Sequence, residues 1–301
     1  VRTRRSILCL LLLAWLATPT VLWARDLVVV SWNLQWFPGR VPYANAEARQ
    51  RHMADAQAEL KALNPDIFIA QEITSEWAFR ELISVLPDLK LNVVSSYSKG
   101  GSPRAQQVAL ASRLPSRSAW AASWDPAGVT PPRGYACAVY EPTPGNLLLT
   151  YAVHLKSNRT EPGLTLAQCM AMREESTRQL LAHVEEMTAF YQKDGRVMAL
   201  LAGDFNTHRD QPELAADRTL SLIEGAGFAN PWTNVAAPQR HTWVGSDDFP
   251  PCTFDYLFGR GLALRDTRLR ETKVRVSDHL PVVGLLRLPA TVARRPAAPA
   301  L

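Results

Sequence analysis

Six apolar, strand-like runs in this chain each end on residues of the kind that hold hard cations or phosphate. They are VVVSWNL with Asn33, DIFIAQE with Glu72, LLLTYAVHLKSN with His154, VMALLAGDFNT with Asp204 and Asn206, TFDYLF with Asp255, and SDHLPVVG with Asp278 and His279. One such run means little. Six of them, spread over most of the chain, restrict the fold to one in which strand ends converge on a single polar centre. Hard divalent cations prefer carboxylate and amide oxygens. Phosphoester cleavage needs such a cation together with positioned acid–base groups.

The runs alternate with helical patterns. Residues 27–34 read as a buried strand. Residues 44–63 read as an amphipathic helix with Met53, Ala56, Leu60 and Leu63 on one face, stopped by Asn64-Pro65-Asp66. Strands are expected at 67–70, 90–96, 107–112, 135–140, 147–155, 197–202, 240–244, 253–258, 267–274 and 281–288. Further helices are expected at 76–86 and 212–225. Thr165 and Gln168 have capping-box spacing ahead of a long helix whose apolar face carries Leu180, Val184, Met187 and Tyr191. Pro142, Pro144, Gly145 and Asn146 mark the turn of a hairpin. Hairpins mixed with helices, without strict βαβ alternation, predict an α/β fold of two sheets packed face to face with helices outside.

The ends of the chain read differently. Arg2, Arg4 and Arg5 precede an apolar stretch from Ile7 to Ala17, and Ala24 is a small residue at a cleavage position. This is a signal-peptide pattern over 1–24, with an uncleaved anchor as the alternative. Export to a secreted or periplasmic location is the expectation. No later stretch is apolar and long enough to span a bilayer. A domain over 25–289 is expected, with a disordered Pro/Ala-rich tail at 290–301. Setting aside Arg2, Arg4, Arg5, Arg294 and Arg295 brings the formal charge of +5 to zero for residues 25–293. Net charge therefore says little about nucleic acid; a local basic groove would have to carry any such binding. Cys137, Cys169 and Cys252 follow the leader. In an oxidising compartment they predict one disulfide and one spare thiol, with Cys137–Cys169 favoured and three unpaired thiols as the alternative.

Taken singly, each polar run end has an ordinary reading. Glu72 is a loop acid, His154 a satisfied core histidine, Gly203-Asp204-Phe205-Asn206 a turn, and Asp278-His279 a strand-entry cap. Together, over roughly residues 27–288, they resemble the endonuclease/exonuclease/phosphatase superfamily, the deoxyribonuclease-like metal-dependent phosphoesterases. The most specific pieces are Ser31-Trp32-Asn33, Gln71-Glu72, Gly203-Asp204-Phe205-Asn206 and Ser277-Asp278-His279. His154-Leu155-Lys156-Ser157 and Phe254-Asp255-Tyr256 support them.

The resemblance implies a four-layer α/β sandwich of two mixed sheets flanked by helices, and hydrolysis of phosphate esters with Mg²⁺ or Mn²⁺. It implies Glu72 as the principal metal ligand, with Asn33 and Asp278 completing the sphere directly or through water. Asp204 would align or deprotonate the attacking water, and Asn206 would hold a phosphate oxygen. His154 and His279 would bind phosphate and stabilise its growing charge, with Asp255 orienting His279. Lys156 and Arg133 would add phosphate contacts.

No serine or cysteine nucleophile motif is present, and zinc-type Cys/His spacing is absent, so direct water attack with a hard cation is the chemistry expected. Nucleic acid is the expected substrate, with Arg104, Arg113, Arg117 and Arg133 as backbone contacts. The alternatives are a sphingomyelinase-like phospholipid phosphodiesterase and an inactive binding module on the same fold. The lipid reading requires an exposed apolar element, for which Trp243–Pro251 with Phe249 is the modest candidate. The Trp120–Trp124 pair reads as packing.

Overall fold

Alternate residues of one strand feed two cores. In the computed structural model, which describes residues 26–97 and 106–288, β1 (Leu27–Phe37) is the first strand and is buried along most of its length. Val29 joins the cluster between the sheets. Val30, Trp32 and Leu34 join the cluster beneath the first two helices. β2 (Ile67–Ile73) and β4 (Gln107–Ser112) behave in the same way, with Ile67, Ile69, Val108 and Leu110 inward and Phe68, Ala70, Ala109 and Ala111 outward. Covering on both faces explains why these strands read as continuous apolar runs rather than an alternation.

β1, β2 and β4 form one sheet with β3 (Lys90–Val94), β10 (Ala263–Leu269) and β11 (Val282–Arg287), in the order β10-β11-β1-β2-β4-β3. The second sheet is β5 (Ser116–Ser123), β6 (Gly134–Thr143), β7 (Asn146–His154), β8 (Arg196–Asp204) and β9 (Asp255–Arg260), in that order. Both sheets mix parallel and antiparallel pairs. α1 (Ala46–Leu63) and α2 (Glu76–Ile83) bury Leu60, Phe79 and Leu82 against the first sheet. α3 (Leu166–Tyr191) and α4 (Thr219–Gly225) bury Leu180, Val184 and Ile223 against the second. The result is the four-layer sandwich expected from the sequence.

Local chemistry sets the helix ends. Asn45 caps α1 by accepting from the Ala48 N–H, and Asn64 closes it in the left-handed conformation. The Thr165–Gln168 capping box starts α3. Some expectations are corrected. β5 was not anticipated: its residues are half-buried on an edge, which blurs the alternation. The helix expected over 212–225 breaks into a 3-10 turn at Pro212–Leu214 and the short α4. Residues 240–244 form no strand and make only isolated bridges from Trp243 to Cys252 and His279. β10 begins earlier than expected, at Ala263. Trp120 packs on His183 and Trp124 on Tyr135, as expected for packing residues.

All three described cysteines are buried free thiols, so the favoured Cys137–Cys169 bridge is absent. Cys137 lies in the intersheet core beside Tyr151, whereas the Cys169 thiol faces the Arg159 carbonyl. Among the described residues no helix is long and apolar enough to cross a membrane. The expected leader at 1–24, the tail at 290–301 and Arg104 lie outside the described residues.

Candidate active site

Strand register sets half of the site. β7 pairs parallel with β8, and β8 antiparallel with β9, so that His154, Asp204 and Asp255 stand opposite one another in a row across three strands. In the facing sheet, Asn33 on β1 stands opposite Gln71 on β2. Glu72, the next residue, has left-handed backbone (φ 63°) and falls where the register slips against both β1 and β4. A bulge of this kind re-aims one side chain out of the pleat. Asp278 and His279 arrive just before β11, and His279 forms a bridge with Trp243.

Asn33 joins the two sheets. Its amide Nδ2 donates to Glu72 Oε1 at 3.2 Å and to Asp204 Oδ2 at 3.0 Å, while its Oδ1 accepts from the Gln35 N–H. Glu72 Oε2 accepts from the Trp36 N–H at 2.9 Å. Across the cleft, His279 Nδ1 lies 2.7 Å from Asp255 Oδ2, and its Nε2 lies 3.8 Å from Asp204 Oδ2. His154 Nε2 lies 3.5 Å from Asp204 Oδ2 and 3.9 Å from Glu72 Oε1. Six of the residues singled out in the sequence, Asn33, Glu72, His154, Asp204, Asp255 and His279, therefore lie within 4 Å of at least one other of the six around one centre.

Burial tunes these groups. It lifts the Glu72 carboxyl above its ordinary value, aided by the charge of Asp278 and opposed by the Trp36 N–H, His279 and Asn33. Burial, and next the charge of Asp255, push Asp204 up to about 7. Burial works against charge on His279, but Asp255, Asp204 and Asp278 outweigh it and lift the imidazole to about 10. His279 is therefore an imidazolium at neutral pH. Burial, then Arg133, His279 and Lys156, hold His154 well below its ordinary value, so that ring is neutral.

The chain matches the Endonuclease/Exonuclease/phosphatase family over residues 30–279. It belongs to that family. Solved structures agree on the fold. An endonuclease/exonuclease/phosphatase from Beutenbergia cavernae superposes with a TM-score of 0.61 at 22% identity, covering 89% of this chain and 73% of its own. One from Bacteroides vulgatus gives 0.65 at 15%, covering 88% and 99%. The human nocturnin catalytic domain, solved with a bound sulfate anion, gives 0.65 at 17%, covering 87% and 94%. No curated protein sequence matches closely enough to stand as a relative.

Endonuclease/exonuclease/phosphatase proteins are hydrolases of phosphoester bonds and in general depend on a divalent cation. The donor set fits such a cation. Glu72, Asp204, Asp255 and Asp278 bring four carboxylates to a centre that also holds Arg133 and His279. Asp278 is close enough for its charge to help raise the Glu72 carboxyl. Asp204, Asp255 and His279 also lie within ligand distance of one another. That trio suits a metal less well, because the Nδ1 of His279 is taken by Asp255.

The structure refines several expected roles. The His154 Nε2 sits 3.2 Å from Arg133 Nη2. Guanidinium only donates, so His154 accepts there and its proton is on Nδ1, which has no partner. His154 thus orients Arg133 rather than donating to phosphate from that nitrogen. Lys156 donates to the carbonyls of Ser157 and Arg159 and is turned into its own loop. Asn206 spends one amide hydrogen on the Leu155 carbonyl and keeps a second. Arg113 pairs with Asp66 at the start of β2, and Arg117 with Glu141 and Asp194; both lie at the opposite end of the sheets, so only Arg133 of the described arginine candidates reaches the centre.

Other groups of the site have no periodic signal in the sequence. Thr242 Oγ1 accepts from the N–H groups of Phe254 and Asp255. Trp243 Nε1 donates to Asp278 Oδ2 at 3.2 Å. Ser277 Oγ donates to the Asn33 carbonyl and accepts from the His279 N–H. Each pins a group of the site through these hydrogen bonds.

Proposed function

We propose that this chain is an exported, Mg²⁺- or Mn²⁺-dependent phosphodiesterase that hydrolyses nucleic acid by direct in-line attack of water. The observation that supports it most is the pair of differently tuned groups on either side of one cleft: an Asp204 that titrates near neutrality and a His279 held cationic by Asp255. Carboxylates at Glu72 and Asp278, with the Asn33 amide bracing Glu72, would hold the cation. When bound, it would offset the phosphate charge and polarise the ester.

The chain's own residues then do the following. Asp204 takes a proton from the attacking water, since its pKa matches the operating pH. His279 offers its Nε2–H to a phosphate oxygen as charge builds, and Asp255 fixes that ring by holding Nδ1. Arg133, steadied by His154, and the second amide hydrogen of Asn206 donate to the remaining phosphate oxygens. The basic start and apolar stretch at 1–24 support export.

The deciding experiment incubates the protein with plasmid DNA, single-stranded DNA, RNA and sphingomyelin vesicles, each with Mg²⁺, Mn²⁺ or EDTA. Metal-dependent cleavage of nucleic acid is expected. Cleavage confined to vesicles would overturn the substrate, and cleavage undiminished by EDTA would overturn the metal.

A further inference from the structure

Among the described residues, four aromatic side chains are mostly exposed: Tyr43, Trp77, Phe190 and Phe249. Topology puts three of them at the active-site end. β1 and β2 run parallel and both finish beside the catalytic groups. Tyr43 lies in the loop leaving β1, and Trp77 in the first turn of α2, just past β2. The Phe249 loop leaves from Trp243, which is bridged to His279. Phe190 alone ends α3 at the opposite end, close to where β8 begins.

The Glu72 side is built as a surface. Thr74 donates both its N–H and its hydroxyl to the Phe37 carbonyl, at 2.9 and 2.8 Å, tying the roots of the Tyr43 and Trp77 loops together. Beside them opens a cleft of about 330 Å³, lined by Thr74, Ser75, Val94 and Ser96 over the buried Ser95, Tyr97 and Gln107. Its one charged lining residue, Glu76, is paired with Arg80 at 2.7 Å. Ile73, the residue after Glu72, stands opposite Gln107 in the sheet, so the cleft lies one residue beyond Glu72 along β2. An anionic strand leaving the catalytic centre on this side meets the exposed Thr74, Ser75 and Ser96 and an indole 68% exposed.

We infer that Trp77 is a stacking platform for an unpaired base next to the scissile phosphate, with the hydroxyl-lined cleft seating the adjoining sugar, so that the favoured substrate is single-stranded nucleic acid. This rests on the nucleic-acid reading above. Every base presents a π-face, so one exposed indole serves any sequence. In a duplex those faces are covered by neighbouring pairs, and a ring on a rim finds none without unstacking. A membrane surface is the poorer occupant. Tyr43 and Trp77 are single rings among polar groups rather than a continuous apolar face, and Phe249 stands beside Asp247 and Asp248, whose charges resist burial at a lipid interface.

The test measures KM and kcat with Mg²⁺ on two single-stranded oligonucleotides, one complete and one abasic at the nucleotides flanking a single cleavable phosphate. Trp77→Ala should raise KM on the complete strand by about 5- to 100-fold, with kcat changed by less than about 3-fold. On the abasic strand the same variant should match wild type. Trp77→Phe should recover most of the loss, and Phe190→Ala, an exposed ring at the far end, should change nothing. Equal effects of Trp77→Ala on both strands, or no effect on either, would sink the platform while leaving the nuclease intact. Wild-type protein inert on both strands but active on phospholipid vesicles would instead remove the nucleic-acid reading itself.

Discussion

His279 Nδ1 lies 2.7 Å from Asp255 Oδ2, while the other nitrogen of the same ring lies 3.8 Å from Asp204 Oδ2. One imidazole is thus clamped by a carboxylate behind it and faces a second carboxylate in front. Asp255 is fully buried, and its backbone N–H donates to Thr242. The clamp cannot swing away, so the Nε2–H direction is fixed before substrate arrives.

The pH profile follows from this clamp. Asp204 must be deprotonated to act as base, so the rate rises with pH through about 7. His279 must be protonated to donate, so the rate falls as pH rises through about 10. A bell-shaped kcat/KM profile between those limits is expected. Asp255→Asn removes the largest influence favouring charge on His279. It should move the alkaline limb to lower pH and lower kcat by roughly 10²- to 10⁴-fold. An unchanged alkaline limb in Asp255→Asn would disconnect His279 from it.

Metal dependence separates the other side of the site. Glu72→Gln keeps the shape of the side chain and removes its charge. It should abolish metal-stimulated turnover while leaving the unfolding midpoint near wild type, because Glu72 sits on a bulge at the edge of the cleft. Trp243→Phe deletes the donor that holds Asp278 Oδ2. Loss of such a supporting hydrogen bond should raise the half-saturating Mg²⁺ concentration by about 10- to 100-fold. Isothermal titration with Mg²⁺ checks both without relying on turnover; wild-type affinity in Glu72→Gln would exclude it as a ligand.

Gly203 shows how the backbone serves the site. It has φ 139°, and a Cβ there would meet the Val153 carbonyl oxygen at 2.0 Å. The clash is with the strand that carries His154, next to the residue that presents Asp204. Gly203→Ala should destabilise the protein by about 2–4 kcal/mol, read by urea unfolding. Near-wild-type stability would mean that β7 and β8 can separate locally without cost.

The parts legible in the sequence are those governed by short-range chemistry. Apolar runs flanked by Asn33, Glu72, His154, Asp204, Asp255 and His279 mark the strands, because two covered faces demand continuous apolar sequence, while the polar residues beside them are buried mostly against one another. The capping box at Thr165 is equally local. What stayed hidden depends on long-range register. Nothing in the neighbourhood of Thr242 says that its hydroxyl will serve Asp255, and nothing around Arg113 or Arg117 says that they will lie at the far end of the sheets. The tautomer of His154 is also a tertiary property, set by Arg133 from a different loop.

His52 supplies a test of stability distant from chemistry. It is buried on α1, with Nδ1 accepting from the Gly39 N–H at 2.8 Å. Burial, and then Arg40, hold its pKa down to about 4. The unfolded chain, with an ordinary imidazole, binds the proton more readily than the folded one. The stability this neutral ring permits is therefore complete above about pH 6.5 and is lost as pH falls toward 4. Between pH 7 and pH 5 the loss should be about 2 kcal/mol. His52→Asn offers an oxygen near the Nδ1 position for the Gly39 N–H and has no proton to gain. Urea unfolding at both pH values should show the wild type losing that increment and His52→Asn losing correspondingly less. Equal pH slopes in the two proteins would place the acid sensitivity of the fold in its carboxylates instead.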